Sequence, residues 1–449
     1  MLNVRLSLAT ALVLSTGVAQ EADIVDGYVD KLSVQAGDVQ NVMINARVPF
    51  SGFVHITSVD GSSIRSVKAK LGPQYASKNA PAVNGYGYKV SYSYSIPNSL
   101  ASGVYFWNDQ VPFIVRSIAA KDVVVVVDTN TINAYSCSGG NSLYDRICGD
   151  NISAGVVSFM RPLDFKSSLI YPFLKWMKIH ETEIGSVSYI ADSDLDEYER
   201  IRSAKLLVIA GHSEYWSRQA RINFDKFVSA GGNAAVFSGN NMWWPVRYGK
   251  DNTLICYKTL TDPEANPLNK TNLYWVSGAL GLPTILSVGA EYQRGGMVDS
   301  KKSFGGYKAL ATKSAFYNGI DIKDGDLIPF DVGTKSMTGK DYNGLPEFDG
   351  TVVSGTSVDG SPIINNDILK FYRIASFGYN KTLWGGKDTY TIILAMQRNI
   401  NSGIVFNAAT NYWGSQLVNG KTSNLTFSKL TLNIIQFLKS NSVFDSIFK

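Results

Sequence analysis

Leu206-Leu-Val-Ile-Ala-Gly-His-Ser-Glu-Tyr-Trp216 combines a short apolar run, a glycine turn and the approach to a helix. Leu206 to Ala210 is too short for a helix and reads as a buried strand. Gly211 lets the backbone turn sharply. His212 and Glu214 then stand on either side of Ser213. From Ser217 a helical pattern sets Ala220, Phe224, Phe227 and Val228 on one face, and Gly231-Gly232 ends it. In a parallel α/β sheet, ligands bind beyond the carboxyl ends of the strands. A histidine and a carboxylate therefore stand where such folds do chemistry. A second reading makes them polar caps, because a carboxylate near a helix N-terminus is favourable by itself.

Working outward, Val123 to Val127 is a run of consecutive valines, which marks a strand covered on both faces. Between the two strands lie a helix candidate, Pro172 to Glu181, a strand, Val187 to Ile190, and a short helix, Asp194 to Arg202. Asn233 to Gly239 is another strand. This alternation predicts a mainly parallel, doubly wound sheet. From about 252 to 387 the pattern is irregular, with Gly-rich and polar loops and short β candidates, and it reads as an insertion covering one side of the site or as a small β subdomain. The sheet resumes at Tyr390 to Met396 and Gly403 to Phe406, and a final helix spans Phe427 to Lys439. Upstream, residues 20–119 hold several short alternating segments separated by turn signals, among them Tyr28–Val34, Val42–Val48, Gly52–Thr57 and Ser102–Trp107. These predict a β-sandwich.

The chain has 449 residues, 45% hydrophobic and 18% charged, so it can bury a large core. A net charge of +5 with scattered Lys and Arg points away from nucleic acid. Arg5, the apolar Leu6–Val18 and the small residues Gly17-Val18-Ala19 read as a signal peptide over residues 1–19. That apolar run is too short for a stable membrane span. The sequons at Asn151, Asn269, Asn380 and Asn424 fit a secreted glycoprotein. Of three cysteines, Cys137 and Cys148 can pair in an oxidising compartment, which leaves Cys256 over.

An ordered set of motifs resembles the C-terminal part of the large (β) subunit of N,N-dimethylformamidase. The set comprises Gly27-Tyr-Val-Asp-Lys-Leu-Ser-Val34, Ser102-Gly-Val-Tyr105, Asn133-Ala-Tyr135, Gly139-Gly-Asn-Ser-Leu-Tyr144 and Val157-Ser-Phe-Met-Arg-Pro162. It continues through Tyr189-Ile-Ala-Asp-Ser-Asp-Leu195, Gly211-His-Ser-Glu-Tyr-Trp216, Gly239-Asn-Asn-Met-Trp-Trp244 and Cys256-Tyr-Lys258. The resemblance implies an immunoglobulin-like β domain over 20–119, followed by a glutamine-amidotransferase-like (flavodoxin-like) α/β domain over 120–449. It also implies hydrolysis of a small amide or formamide at a mononuclear iron. By motif position, the metal ligands would be Tyr105, Tyr135 and Glu214, with His212 beside them. Phenolate and carboxylate are hard donors suited to Fe(III). The metal would polarise the amide carbonyl and supply hydroxide, and His212 would pass a proton to the leaving amine. The family enzyme also has a small partner subunit and a further N-terminal domain, neither of which is expected within these residues. A homo-oligomer is compatible with the reading.

Two other readings compete. Ser213 occupies a nucleophile-elbow position, but Tyr215 replaces the second glycine of that motif, and His212 is badly placed as its base. Alternatively, the chain is a catalytically inactive secreted binding protein, with Trp243, Trp244, Trp413, Tyr135 and Tyr144 lining a glycan- or partner-binding cleft. A tyrosine at a strand end is by default a packing residue, and this chain has 24 tyrosines.

Overall fold

The structure, a computed structural model, describes residues 22–449 apart from 120, 145–146, 149–152, 298–303, 333–345, 353, 357–361, 365–368, 382–388, 418–421, 441–442 and 449. The expected signal peptide over 1–19 and the sequon at Asn151 lie outside the described residues.

Two sheets form the N-terminal unit. One holds Ile24–Val29, Val39–Ala46 and Tyr92–Ser95; the other runs Ser33–Gln35, Val111–Arg116, Gly103–Trp107, Phe50–Ser58, Ser63–Leu71. Val42 and Ile44 from the first sheet share a core with Val54, Ile56, Trp107 and Phe113 from the second, so the expected sandwich is present. The Trp107 indole is buried against Tyr92, Tyr94 and Phe113, and its N–H donates to Gln40. The sequence pattern joins Tyr28 to Val34 as one strand, but the chain breaks there and changes sheet. Ser63–Leu71 escapes that pattern because it is a mostly solvated edge strand with little apolar alternation.

Val123–Val127 lies inside the large sheet, parallel to Val187–Ala191 on one side and Leu206–Gly211 on the other. Side chains alternate across a strand, so Val123, Val125 and Val127 enter one core while Val124 and Val126 enter the other. The first core is closed by the helices Tyr171–Ile179 and Thr422–Lys439, through Phe173, Trp176, Leu430 and Ile434. The second is closed by Arg218–Ser229, through Ala220, Phe224 and Phe227. An uninterrupted valine run is what a strand buried on both faces requires. Val125→Ala should therefore cost about 2–3 kcal/mol, from lost burial plus the space left behind. Chemical denaturation would register this as a lower midpoint, and an unchanged midpoint would contradict the placement.

The parallel part continues through Asn233–Ser238 to Ile404–Asn407. Beyond that the sheet turns antiparallel, through Thr389–Gln397, Arg373–Lys381, Gly306–Ala309 and Leu327–Pro329. Glu347–Val352 also pairs with Thr389–Gln397. This corrects two expectations. The sheet is mixed rather than mainly parallel, and residues 252–387 build part of it rather than forming an irregular cover. Their strands are short or interrupted by register shifts, as at Glu291/Gly296 and Ser376/Gly378, and so carry little periodic signal.

The two units are fastened close to the strand ends. Arg116 of the sandwich pairs with Asp194, which follows Val187–Ala191, at 3.1 Å. The Ser33 hydroxyl donates to the other Asp194 oxygen at 2.6 Å. A four-stranded sheet of Val156–Ser158, Thr253–Ile255, Trp244–Gly249 and Tyr215–Ser217 shares a buried cluster with Tyr135. No helix among the described residues is long and apolar enough to cross a membrane.

Candidate active site

The turn after Leu206–Gly211 is fixed by its neighbours. Gly211 has φ 80°, and a Cβ there would lie 2.7 Å from Ile170 Cβ and 2.8 Å from Asp128 Oδ2. Only glycine suits both the conformation and the space. The next three backbone N–H groups are each held by a side chain: His212 N donates to Asp128 Oδ2 at 2.8 Å, Ser213 N to Ser238 Oγ at 3.0 Å, and Glu214 N to Thr131 Oγ1 at 3.1 Å. Asp128 and Thr131 belong to the segment after the valine strand, whose helix Thr129–Tyr135 ends on Tyr135. The strands Val123–Val127 and Leu206–Gly211 thus deliver their polar residues to one place.

The Tyr135 hydroxyl donates to Glu214 Oε2 at 2.8 Å. His212 Nε2 lies 3.5 Å from that same oxygen and 2.9 Å from Glu347 Oε2. The Tyr135 ring stacks on Tyr144 with centroids 4.9 Å apart. The Lys258 ammonium lies 4.1 Å from the Tyr144 ring centre and 5.2 Å from that of Trp244. Tyr135, His212, Glu214, Glu347 and Lys258 are all buried. Asp349, two residues beyond Glu347, accepts N–H bonds from Asn240 and from the Asn241 side chain, both at 2.8 Å. It thereby holds the turn after Asn233–Ser238, where Asn240 and Met242 take positive φ.

Burial and charge set the protonation of this cluster. Burial alone would depress the His212 imidazole; the Glu347 carboxylate, followed by Glu214 and Asp128, outweighs it and pushes the pKa up to about 9. Burial raises Glu214 as well, opposed by the charges of His212 and Lys258. Burial lifts Asp128 to about 7, against the bond from the His212 N–H. Burial, and then the neighbouring Glu214, hold the Tyr135 phenol well above its ordinary value. The arrangement offers a charged imidazole between two carboxylates, with a phenol on one of them.

Of the residues expected at a metal site, the structure brings together Tyr135 and Glu214, with His212 beside them. It does not bring Tyr105 to them. The Tyr105 hydroxyl donates to the Ala101 carbonyl at 3.0 Å, and its ring packs against Phe113. Alternation along Gly103–Trp107 is the reason: Val104 and Phe106 enter the core of the α/β unit, while Tyr105 and Trp107 turn into the sandwich. Tyr105 lines a separate cavity of ≈ 50 Å³ with Lys178, Glu181 and Tyr189. Tyr105→Phe should therefore change any turnover at the Tyr135–Glu214 cluster by less than about twofold and cost about 1 kcal/mol for one lost hydrogen bond. Steady-state kinetics that showed a large loss would return Tyr105 to the site.

Ser213 is also explained. Its hydroxyl is buried and accepts the Trp216 indole N–H at 2.9 Å. Ser213→Ala should retain most activity in the same assay, and abolition would revive the serine-nucleophile reading. Trp413 sits in the main core against Phe237 and Phe427, so it lines no cleft. Cys137 and Cys148 are bonded to each other, and Cys256 is buried and free. Sequence reading missed Glu347, which lies in the region taken as irregular; its only local signal is the alternation in Glu347-Phe-Asp349.

Residues 58–424 match the family described as N,N-dimethylformamidase beta subunit-like, C-terminal. The chain belongs to this family. No curated protein matches it. In this N,N-dimethylformamidase beta subunit-like chain the matched span contains Tyr135, His212, Glu214 and Glu347. Among the described residues, no three His, Cys, Asp or Glu side chains are grouped so as to hold a metal. The hard pair Tyr135–Glu214 nevertheless fits one. Its 2.8 Å oxygen separation is that of neighbouring ligands each about 2 Å from a small cation. Tyr135 and Glu214 are thus hydrogen-bonded neighbours, and Glu347 is a further carboxylate facing His212.

Proposed function

We propose that this chain is a secreted amidohydrolase that cleaves the C–N bond of a small amide or formamide at a mononuclear Fe(III) site. The scaffold of this reading is the family's immunoglobulin-like and glutamine-amidotransferase-like (flavodoxin-like) pair. The observation that carries it is the convergence of Tyr135, Glu214, His212 and Glu347 at the strand ends. Tyr135 and Glu214 would hold the iron, which would supply Lewis acidity toward the amide carbonyl. Glu347 keeps the His212 imidazole charged and oriented, and His212 donates its proton to the departing nitrogen. A Tyr135 phenolate, its proton lost to solvent, would leave Glu214 able to accept a hydrogen bond from water in the site. The charged-then-apolar Met1–Ala19 and the bonded Cys137–Cys148 pair support the secreted reading.

Glu347→Gln should lower kcat by about 10²-fold or more, as loss of a general-acid system does, without unfolding the chain. An unchanged kcat would remove Glu347 from the mechanism. Iron quantification and the visible spectrum of the purified protein test the metal. About one iron per chain and a phenolate charge-transfer band that disappears in Tyr135→Phe are expected. A colourless, iron-free protein with full amidase activity would refute the metal reading.

A further inference from the structure

A cavity of ≈ 580 Å³ opens directly onto Tyr135 and His212. That volume is in the range of sites that enclose a whole small ligand. A simple formamide would leave most of it empty. Its wall is unusual for such a site, since Thr131, Ser136, Ser138, Ser167 and Ser168 line it together with Asp128 and Asp164. Among the described residues of the wall there is no lysine or arginine.

The hydrogen-bond state of these groups defines what they seek. The Ser168 hydroxyl spends its proton on the Phe165 carbonyl at 2.6 Å, and the Ser136 hydroxyl on the Pro162 carbonyl at 3.3 Å. Ser168 keeps its acceptor lone pairs, and Ser136 keeps one beside the lone pair that accepts the Ser138 N–H at 3.3 Å. Asp128 and Asp164 add carboxyl groups to the wall, and Asp128 Oδ2 already accepts the His212 N–H. The wall is thus rich in acceptors. The ionisable groups of the wall are of both signs, the carboxyls of Asp128 and Asp164 and the imidazole of His212 with Glu214 and Glu347 against it, so no single-sign field selects a charged ligand. Hydroxyl groups, each a donor and an acceptor, match a wall of serines and threonine.

We propose that this cavity binds the non-acyl part of the substrate, and that this part is an uncharged polyhydroxylated group such as the ring of an N-acylated amino sugar. The inference rests on the amidohydrolase reading for the reaction but stands on the cavity for the binding.

Equilibrium binding to the Glu214→Gln protein, measured by calorimetry, tests it. The probes are N-acetylglucosamine, the anionic N-acetylaspartate, the cationic N-acetylputrescine and N,N-dimethylformamide. N-acetylglucosamine is expected to bind at least tenfold more tightly than the other three. Ser138→Leu, which fills the cavity from a side chain outside the catalytic cluster, should weaken that binding tenfold or more. Ser167→Leu provides the same test should Ser138→Leu fail to fold. Equal or weaker binding of N-acetylglucosamine than of any other probe overturns the proposal, as does sugar binding that neither filling variant weakens. If the sugar binds as expected but the native protein hydrolyses no amide, the cavity assignment holds and the amidohydrolase reading falls. If the native protein hydrolyses dimethylformamide but the sugar does not bind, only the cavity assignment falls.

Discussion

Glu214→Gln is expected to reduce amide hydrolysis by about 10³-fold or more while leaving the fold in place. The amide replacing the carboxylate still offers an oxygen to the Tyr135 hydroxyl, now 2.8 Å from Glu214 Oε2, so packing is conserved. What disappears is the negative charge shared by Tyr135, His212 and Lys258 in a buried site. A neutral amide is also a poor ligand for a hard cation, so the iron content of the purified variant should fall with its activity. The expected signature is therefore joint loss of turnover and metal, with a thermal unfolding midpoint close to the native one. A variant that keeps both turnover and metal would place the reaction elsewhere in the chain.

Gly211→Ala is expected to damage both stability and activity. The residue has φ 80°, where a Cβ is disfavoured, and that Cβ would press on Ile170 and Asp128 at under 3 Å. Backbone strain of about 1–3 kcal/mol and overpacking of a similar size both apply. Relief requires moving Asp128 away from the His212 N–H, which swings His212 and Glu214 out of register with Tyr135 and Glu347. A displacement of about 1 Å can cost about 10²-fold in rate. Denaturation and kinetics on the same sample check this, and native values of both would show that the turn is not what positions the site.

The parts of this molecule that were legible in its sequence are those governed by local patterning. Five adjacent valines announce a strand buried on both faces, and each enters one of two cores as alternation requires. The run from Leu206 through Gly211 to the helix at Arg218 is likewise local, with Ser217 capping the helix through Ala220 N at 2.9 Å. His212 and Glu214 follow directly from it. Tyr135 came from a family motif rather than from patterning, and the same motif reading also named Tyr105. What separates the two is the phase of a strand relative to two cores, which depends on how the sandwich docks through Arg116 and Asp194. Glu347 was illegible for a different reason. Its strand gains meaning only by pairing with Glu291–Met297 and Thr389–Gln397, both distant along the chain, and its own few residues show too little periodicity to mark a sheet.

The most direct test of the amidohydrolase account is hydrolysis of N,N-dimethylformamide by the purified native chain, with iron determined on the same sample. Release of dimethylamine and formate in equal amounts, proportional to bound iron and absent in Glu214→Gln, is the predicted result. An iron-loaded, folded protein that releases amine and carboxylate from neither this nor any other small amide would contradict it.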